Sequence, residues 1–337
     1  VTTKAPTAAG QLATSPGARR AAPARAIRCR GLVGLPDGES FELTLHDIVP
    51  PREGATDHGQ RRYRVGNLAI AAEGAALAAE RFDLIYALAS VVSGEAEQDF
   101  DKGWQTNLWP MWHFLEALRA QHRATGGAYV PRVIFTSSIA VFGGPYPDKI
   151  TDDFLQSPQT SYGAQKAACE LLIQDFSRKG FIDGMSLRLP TICVRPGKPN
   201  LAASSFFSGI IREPLNGVEA ILPVADTVRH WHASPRSAAA FLVHAAGLNS
   251  EVLQGRRALN LPGLSCTVAE QIEALRDAVG NDVVALIKPQ LDSDIVKIVD
   301  GWPRDFAPEC AMALGFGAET SFRDIIDVYI ADDLPLA

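Results

Sequence analysis

The sequence predicts an α/β fold: a doubly wound parallel sheet followed by a smaller C-terminal domain. Three observations predict it. From residue 41 onward strand-like pieces alternate with helix-like pieces, the order of strand–helix–strand crossovers. One early strand ends on an acid, Asp47, and a later one on hydroxyl side chains, in "VIFTSSIAVFGG". A stretch punctuated by Pro and Gly, "RPGKPNLAASSFFSGIIREPLNG", reads as loop-rich and fits a second domain laid over the sheet.

The elements follow in order. "FELTLHDIV" (41–49) reads as a strand ending at Asp47, "NLAIAAEGAALAAE" as a helix and "FDLIYALAS" as a buried strand. "FDKGWQTNLWPMWHFLEALRAQ" is a long helix broken near Pro110. "PRVIFTSSIAVFGG" is a strand running into a Gly turn, a helix begins near Tyr162, and "GMSLRLPTICV" is the next strand. Beyond the loop-rich stretch, "SPRSAAAFLVHAA" and "TVAEQIEALRDAVG" are helical, with Ser234 and Thr267 as N-caps. "ALNLP" and "VVALIK" are short strands.

Composition bounds the function. The chain has 337 residues, 47% apolar and 21% charged, enough for a large core and two domains. Its formal charge of −6, with acids spread out, leaves no basic face for a phosphate backbone, so nucleic acid is not expected as a partner. No apolar run approaches the roughly 20 residues that span a bilayer. Cys29, Cys169, Cys193, Cys266 and Cys310 lie far apart with no C-x-x-C pair, which suits a reducing, cytoplasmic setting. Residues 1–36 differ: they carry Lys4, Arg19, Arg20, Arg25, Arg28 and Arg30 and no acid. They read as an organellar transit peptide, a disordered tail, or sequence foreign to the fold. The expected organisation is therefore 1–36 as an atypical basic segment, 37–190 as the sheet domain, and 191–337 mainly the second domain, with some segments returning to the sheet.

"TSYGAQKAACELL" places Tyr162 four residues ahead of Lys166, on one face of a helix, while Ala167, Leu171 and Leu172 turn toward the core. A phenol of ordinary pKa ≈ 10 is a poor base at neutral pH, and lowering it by about three units takes roughly 4 kcal/mol. An ammonium within about 4 to 5 Å supplies about that at an effective dielectric near 20. Such a pair could accept a hydroxyl proton while a hydride leaves the same carbon. Taken alone, Y-x-x-x-K is more often a surface pair that happens to share a turn. The hydroxyl-ended strand 24 residues earlier changes that, because open parallel sheets bind ligands beyond the carboxyl ends of their strands, where Ser138 lies.

"FTSSIAVFGG" and "TSYGAQKAACELL" resemble the extended short-chain dehydrogenase/reductase superfamily, which has a Rossmann-type sheet. With "ASVVSGEAEQDFDKG", "SRKGFIDG", "LRLPTICVRPGKPN", "SSFFSGIIREPLNG", "RHWHASPRSA" and "LNLPGLSCTV", residues 83–330 are most similar to its D-erythronate dehydrogenase group, also described as NAD-dependent epimerase/dehydratase. The resemblance implies an NAD-dependent dehydrogenase oxidising the C2 hydroxyl of a small sugar acid. Ser138 would orient the hydroxyl, Tyr162 act as acid/base, and Lys166 lower the phenol and hold the nicotinamide ribose. Asp47 would accept from the adenosine ribose and repel a 2′-phosphate, favouring NAD over NADP. Asn67 and Leu68 would flank the adenine, Ala87, Leu88 and Ala89 pass beneath the cofactor, and Pro190 and Thr191 border the nicotinamide. Ser93, Asn200 and Arg229 are candidates for the substrate, Arg229 as a two-pronged grip on a carboxylate. His230 and His232 alternate on a strand, but no third ligand is evident and no metal is expected. A homodimer through helices at 99–119 and 162–179 is implied.

The beginning departs from the family, which opens with a buried strand, a Gly-rich turn and a helix facing the pyrophosphate. "TAAGQLA" resembles a remnant of that turn. Asp47 lies 37 residues after Gly10 and 30 after Gly17, against about 20 in the fingerprint. The first strand and turn are thus expected to be atypical or missing. "NLWPMW" also departs from Asn-x-x-Gly-Thr. Two other readings stay open: a nucleotide-sugar epimerase or dehydratase, and a non-catalytic binding protein that has lost its phosphate-binding turn.

Overall fold

The computed structural model describes residues 8–13, 41–50, 61–91, 93–197 and 202–334. Asn200, Gly17 and the basic residues of the first 36 fall outside these. Seven parallel strands form the main sheet. From one edge they are Ala258–Asn260, Asp183–Leu189, Arg132–Ser138, Leu84–Ala87, Ala8–Ala13, Phe41–Asp47 and Arg61–Val65. The chain order reverses beside Ala8–Ala13, and at such a reversal diverging loops open a crevice at the carboxyl edge. Register brings the strand ends to that edge together: Ala87 pairs with Phe135, Ser138 with Leu189, and Asp47 with Val65.

Of the two expectations for the first strand, atypical or missing, the structure has the first: a strand is present, and its sequence is atypical. Residues Ala8–Ala13 occupy the central place, running parallel to Phe41–Asp47 on one side and Leu84–Ala87 on the other. "AAGQLA" is therefore strand, and Gly10 pairs with Leu43 and Leu84 instead of sitting in a turn. Alanine and glycine carry little strand propensity, so central pairing prevails here over local preference. Other elements differ from expectation. "RRYRV" forms an unforeseen edge strand, Arg61–Val65. The supposed loop after residue 195 contains the helix Ser205–Leu215, whose Pro214 falls in its last turn. In "VVALIK" a short helix, Asn281–Val284, precedes the strand Ile287–Pro289. The long helix divides at Leu108 into Phe100–Asn107 and Trp109–Ala124, with Pro110 in the opening turn of the second, where its missing N–H costs nothing.

Both faces of the sheet are covered. One face packs Leu77, Phe82, Leu115, Leu118, Ile173 and Phe176 of flanking segments onto Ile85, Val133 and Phe135. The opposite face packs Phe241, Ala245 and Phe316 onto Tyr86, Ile134 and Leu187. A third core, around Phe207, Ile211, Leu275, Ile326 and Tyr329, belongs to segments after residue 192. Beside it a small sheet joins Thr191–Ile192, Arg229–Ala233 and Leu264–Thr267. Ser234 and Thr267 cap their helices as expected, Thr267 in a reciprocal capping box with Glu270. Among the described residues no helix is long and apolar enough to cross a membrane.

Candidate active site

Thr160 starts the helix Ser161–Arg178 by accepting from the Gly163 N–H at 3.1 Å. Tyr162 lies in the first turn and Lys166 one turn on. A Cβ on Gly163 would come within 2.1 Å of the Ala140 carbonyl oxygen, so only glycine lets the helix start press against the turn that follows Ser138. That contact brings the phenol to the end of the strand Arg132–Ser138. There the hydroxyls of Ser138 and Ser90 lie near enough to the Tyr162 phenol to favour its ionised form.

Lys166 is 3% exposed, and its Nζ donates to the Thr136 carbonyl at 2.8 Å. It lies 4.7 Å from the Phe135 ring centroid and 5.5 Å from that of Tyr162. Burial lowers its pKa to about 8, opposed by Cys169 and Glu170. The phenol moves the other way: burial pushes Tyr162 up to about 12, opposed by its bonds with Ser138 and Ser90 and by the charge of Arg195. The expected depression of the phenol by Lys166 is thus not what the protein alone produces, because removing the phenolate from water outweighs the favourable contacts.

Two buried networks fix this trio. Asn107 accepts from Val91 N at 2.8 Å and Ser90 Oγ at 2.9 Å, and donates to Gln165 at 2.7 Å. This couples the strand end that carries Ser90 to the helix of Tyr162. Glu170, one turn beyond Lys166, takes a forked hydrogen bond from Arg188 (3.0 and 2.8 Å) and another from Ser137. Arg188 also donates to Asn260 at 3.1 Å. Neither network was foreseen; Asn107 stood in the anomalous "NLWPMW", and Glu170 gave no signal beyond its helical spacing.

A cavity of about 300 Å³ opens at the carboxyl edge of the sheet. Asp47 and Asn67 line one part, Leu68, Met111 and Phe114 the apolar wall, and Ala87, Ala89, Ser90 and Asn107 the rest. Asp47 accepts from Val49 N at 3.0 Å, and Asn67 accepts from Ala69 N at 2.9 Å. Gly66 between them has no room for a Cβ, which would meet the Glu73 carboxylate at 2.4 Å and His46 at 2.8 Å. Burial lowers the pKa of His46, against the pull of Glu73 3.1 Å away. The lining fits the adenosine end of a dinucleotide: a flat apolar wall with an acid and an amide at its rim.

Other predicted residues scatter. Leu88 packs partly into the sheet core, Pro190 is buried, and Ser93 opens the short helix Ser93–Gln98. Thr191 Oγ1 meets His230 Nε2 at 2.7 Å. His230 and His232 are buried around Phe207, and burial drives both pKa values down, His230 to about 4. No cluster of three metal-ligating side chains occurs among the described residues. Arg229 donates to the Ser265 carbonyl at 3.1 Å and pairs with Glu270 at 3.3 Å. Leu171, expected in the core, is 65% exposed, whereas Ala167 and Leu172 do face inward. Arg195, not foreseen, is the charged neighbour of Tyr162; its place in "VRPG" signalled only a loop.

Comparison with known proteins agrees with this geometry. The description of the NAD dependent epimerase/dehydratase family matches residues 46–231. The chain is 46% identical to a D-erythronate dehydrogenase of Cupriavidus necator over 92% of its own length and 94% of that protein's. It is 42% identical to a D-erythronate dehydrogenase of Haemophilus influenzae, over 87% and 91% respectively. A crystal structure described as the nucleoside-diphosphate-sugar epimerase of Agrobacterium tumefaciens superposes with a TM-score of 0.89 at 47% identity, covering 99% of this chain and 97% of that one. With a Ser–Tyr–Lys cluster at the carboxyl edge of a doubly wound sheet and these relatives, the chain belongs to the NAD-dependent epimerase/dehydratase family.

Proposed function

We propose that the protein is an NAD-dependent dehydrogenase that oxidises the C2 hydroxyl of D-erythronate, or a small sugar acid of that kind, to the 2-oxo acid. The carrying observation is that Tyr162 has the buried Lys166 ammonium 5.5 Å from its ring and the Ser138 and Ser90 hydroxyls near its phenol, and that Ser90 also lines the cavity that holds Asp47. Identities of 42–46% to D-erythronate dehydrogenases over nearly the whole chain support the substrate. Asp47 and Asn67 would hold the adenosine, with Leu68 and the backbone of Ala87, Leu88 and Ala89 alongside, and Pro190 and Thr191 nearer the nicotinamide. The carboxylate of Asp47 disfavours a 2′-phosphate and so selects NAD. Bound NAD supplies the hydride acceptor.

The substrate loses a hydride from C2 and a proton from its hydroxyl, and a carbonyl forms. Ser138 fixes the reacting oxygen. Tyr162 takes the proton, and Lys166 and Arg195 are the cations at hand to draw its phenol down as the site fills. Ser93 and Asn200 remain candidates for the substrate's other hydroxyls. Phe100, Trp109, Trp112 and Leu171 expose apolar surface on the helices expected to form a homodimer.

The test is NADH formation, followed by absorbance, with D-erythronate and with UDP-glucose. Signal with D-erythronate is expected. Signal with the UDP-sugar alone would replace this reading by a nucleotide-sugar enzyme, the alternative that the description of the Agrobacterium structure favours.

A further inference from the structure

We infer that Arg195, not Arg229, takes the carboxylate of the substrate beside Tyr162. The inference deepens the sugar-acid reading and rests on it. Arg195 follows the short strand Thr191–Ile192, on the segment leading from the sheet into the third core. Its backbone is pinned from both sides by a buried helix: its N–H donates to Ser208 Oγ at 3.0 Å, and its carbonyl accepts from Arg212 Nη1 at 2.7 Å. Ser208 and Arg212 are 1% and 6% exposed, so the residue cannot drift.

The side chain, by contrast, is poorly matched. Among the described residues its one hydrogen bond is a long 3.4 Å contact from Nη2 to Ser204 Oγ. Among the described residues it has no carboxylate within ion-pair distance, whereas Arg132, Arg188, Arg212 and Arg257, which are similarly or more deeply buried, each have one. Arg229 is likewise committed, to Glu270 and the Ser265 carbonyl. Burial makes the charge of Arg195 costly, and the nearby Arg212 adds to that. A cation held in this way favours an anion that completes it. A carboxylate matches the guanidinium with two parallel hydrogen bonds, and a neutral sugar or amide leaves it unsatisfied. Because Arg195 and Tyr162 are electrostatic neighbours, an acid gripped by one brings its adjacent hydroxyl carbon to the other.

The experiment titrates NADH-loaded protein with D-erythronate and with the uncharged D-erythronamide, using wild type, Arg195→Gln and Arg195→Lys. Wild type should prefer the acid by about 100-fold, the order expected when a charged hydrogen-bonding group loses its partner. Arg195→Gln should bind acid and amide alike while its NADH affinity and melting curve stay unchanged. If that variant does not fold, Arg195→Lys decides, with a preference reduced about tenfold by loss of the planar fork. Wild-type preference retained in the variants, or no preference in wild type, overturns the assignment. Turnover is read separately: a protein that binds the acid through Arg195 but does not oxidise it refutes the dehydrogenase reading and leaves Arg195 as an acid-binding residue.

Discussion

Replacing Lys166 by Met removes a cation that the fold holds at a cost. In the unfolded chain the ammonium has its ordinary pKa of 10.5, and in the folded protein burial lowers it to about 8. Below about pH 8 both states bind the proton, and the folded state bears the full penalty, roughly 3 kcal/mol at 1.36 kcal/mol per pH unit. Between about 8 and 10.5 the unfolded chain binds the proton and the folded one does not, so wild-type stability rises with pH. Above 10.5 neither binds it and the penalty is gone. The variant lacks this dependence. Cys169 and Tyr162, both pushed up to about 12 in the folded protein, titrate near 9 and 10 in the unfolded chain, but both proteins carry them, so their contribution cancels in the difference. The assay is urea unfolding of both proteins without cofactor at pH 7, 8, 9 and 10. The stability of wild type minus variant should be flat from 7 to 8 and then climb by about 1.4 kcal/mol per pH unit. Lysine also loses its bond to the Thr136 carbonyl on substitution, which offsets the curves but not their slope. Parallel curves from pH 8 to 10 would refute the burial argument and the proton balance drawn from it.

Tyr162→Phe should lower kcat by at least about 100-fold, the low end of general acid–base contributions, with the Kd for NAD measured by titration nearly unchanged. Retained turnover removes the phenol from the chemistry. Gly163→Ala should destabilise the protein by about 1–3 kcal/mol, as overpacking does, and should lower kcat as well, because the helix start must back away from Ala140; a melting temperature equal to wild type contradicts that contact. Asp47→Asn should narrow the preference for NAD over NADP by about tenfold, as loss of roughly 1.4 kcal/mol of repulsion predicts, and unchanged ratios of kcat/KM place the ribose elsewhere.

The grouping of Ser138, Tyr162 and Lys166 was legible because it is local. Tyr162 and Lys166 share a helical face by spacing alone, and Ser138 ends a strand whose apolar run announces its burial. Asp47, Asn67 and Leu68 were legible through resemblance, and they line one cavity. What escaped notice depends on partners distant in the chain. Ala8–Ala13 has too little side-chain bulk to read as strand, and its identity comes from the two strands that flank it. In the sequence Arg195 reads as loop punctuation before a proline and glycine; its interest lies in having no acid beside it among the described residues, which is a property of three-dimensional neighbours. Leu171 was placed inside by periodicity, yet the buried face of its helix is wide enough to take Lys166 and Glu170 instead.

Along the helix Ser161–Arg178, Gly163 presses against the exit turn at Ala140, Lys166 is hydrogen-bonded to the Thr136 carbonyl and Glu170 to Ser137 and Arg188 of the sheet. The helix is in effect riveted at three levels, so it can neither roll nor slide without breaking all of them. A side chain added to that helix face would have to displace one of these ties, whereas the segment after residue 192 is bound to it by none of them.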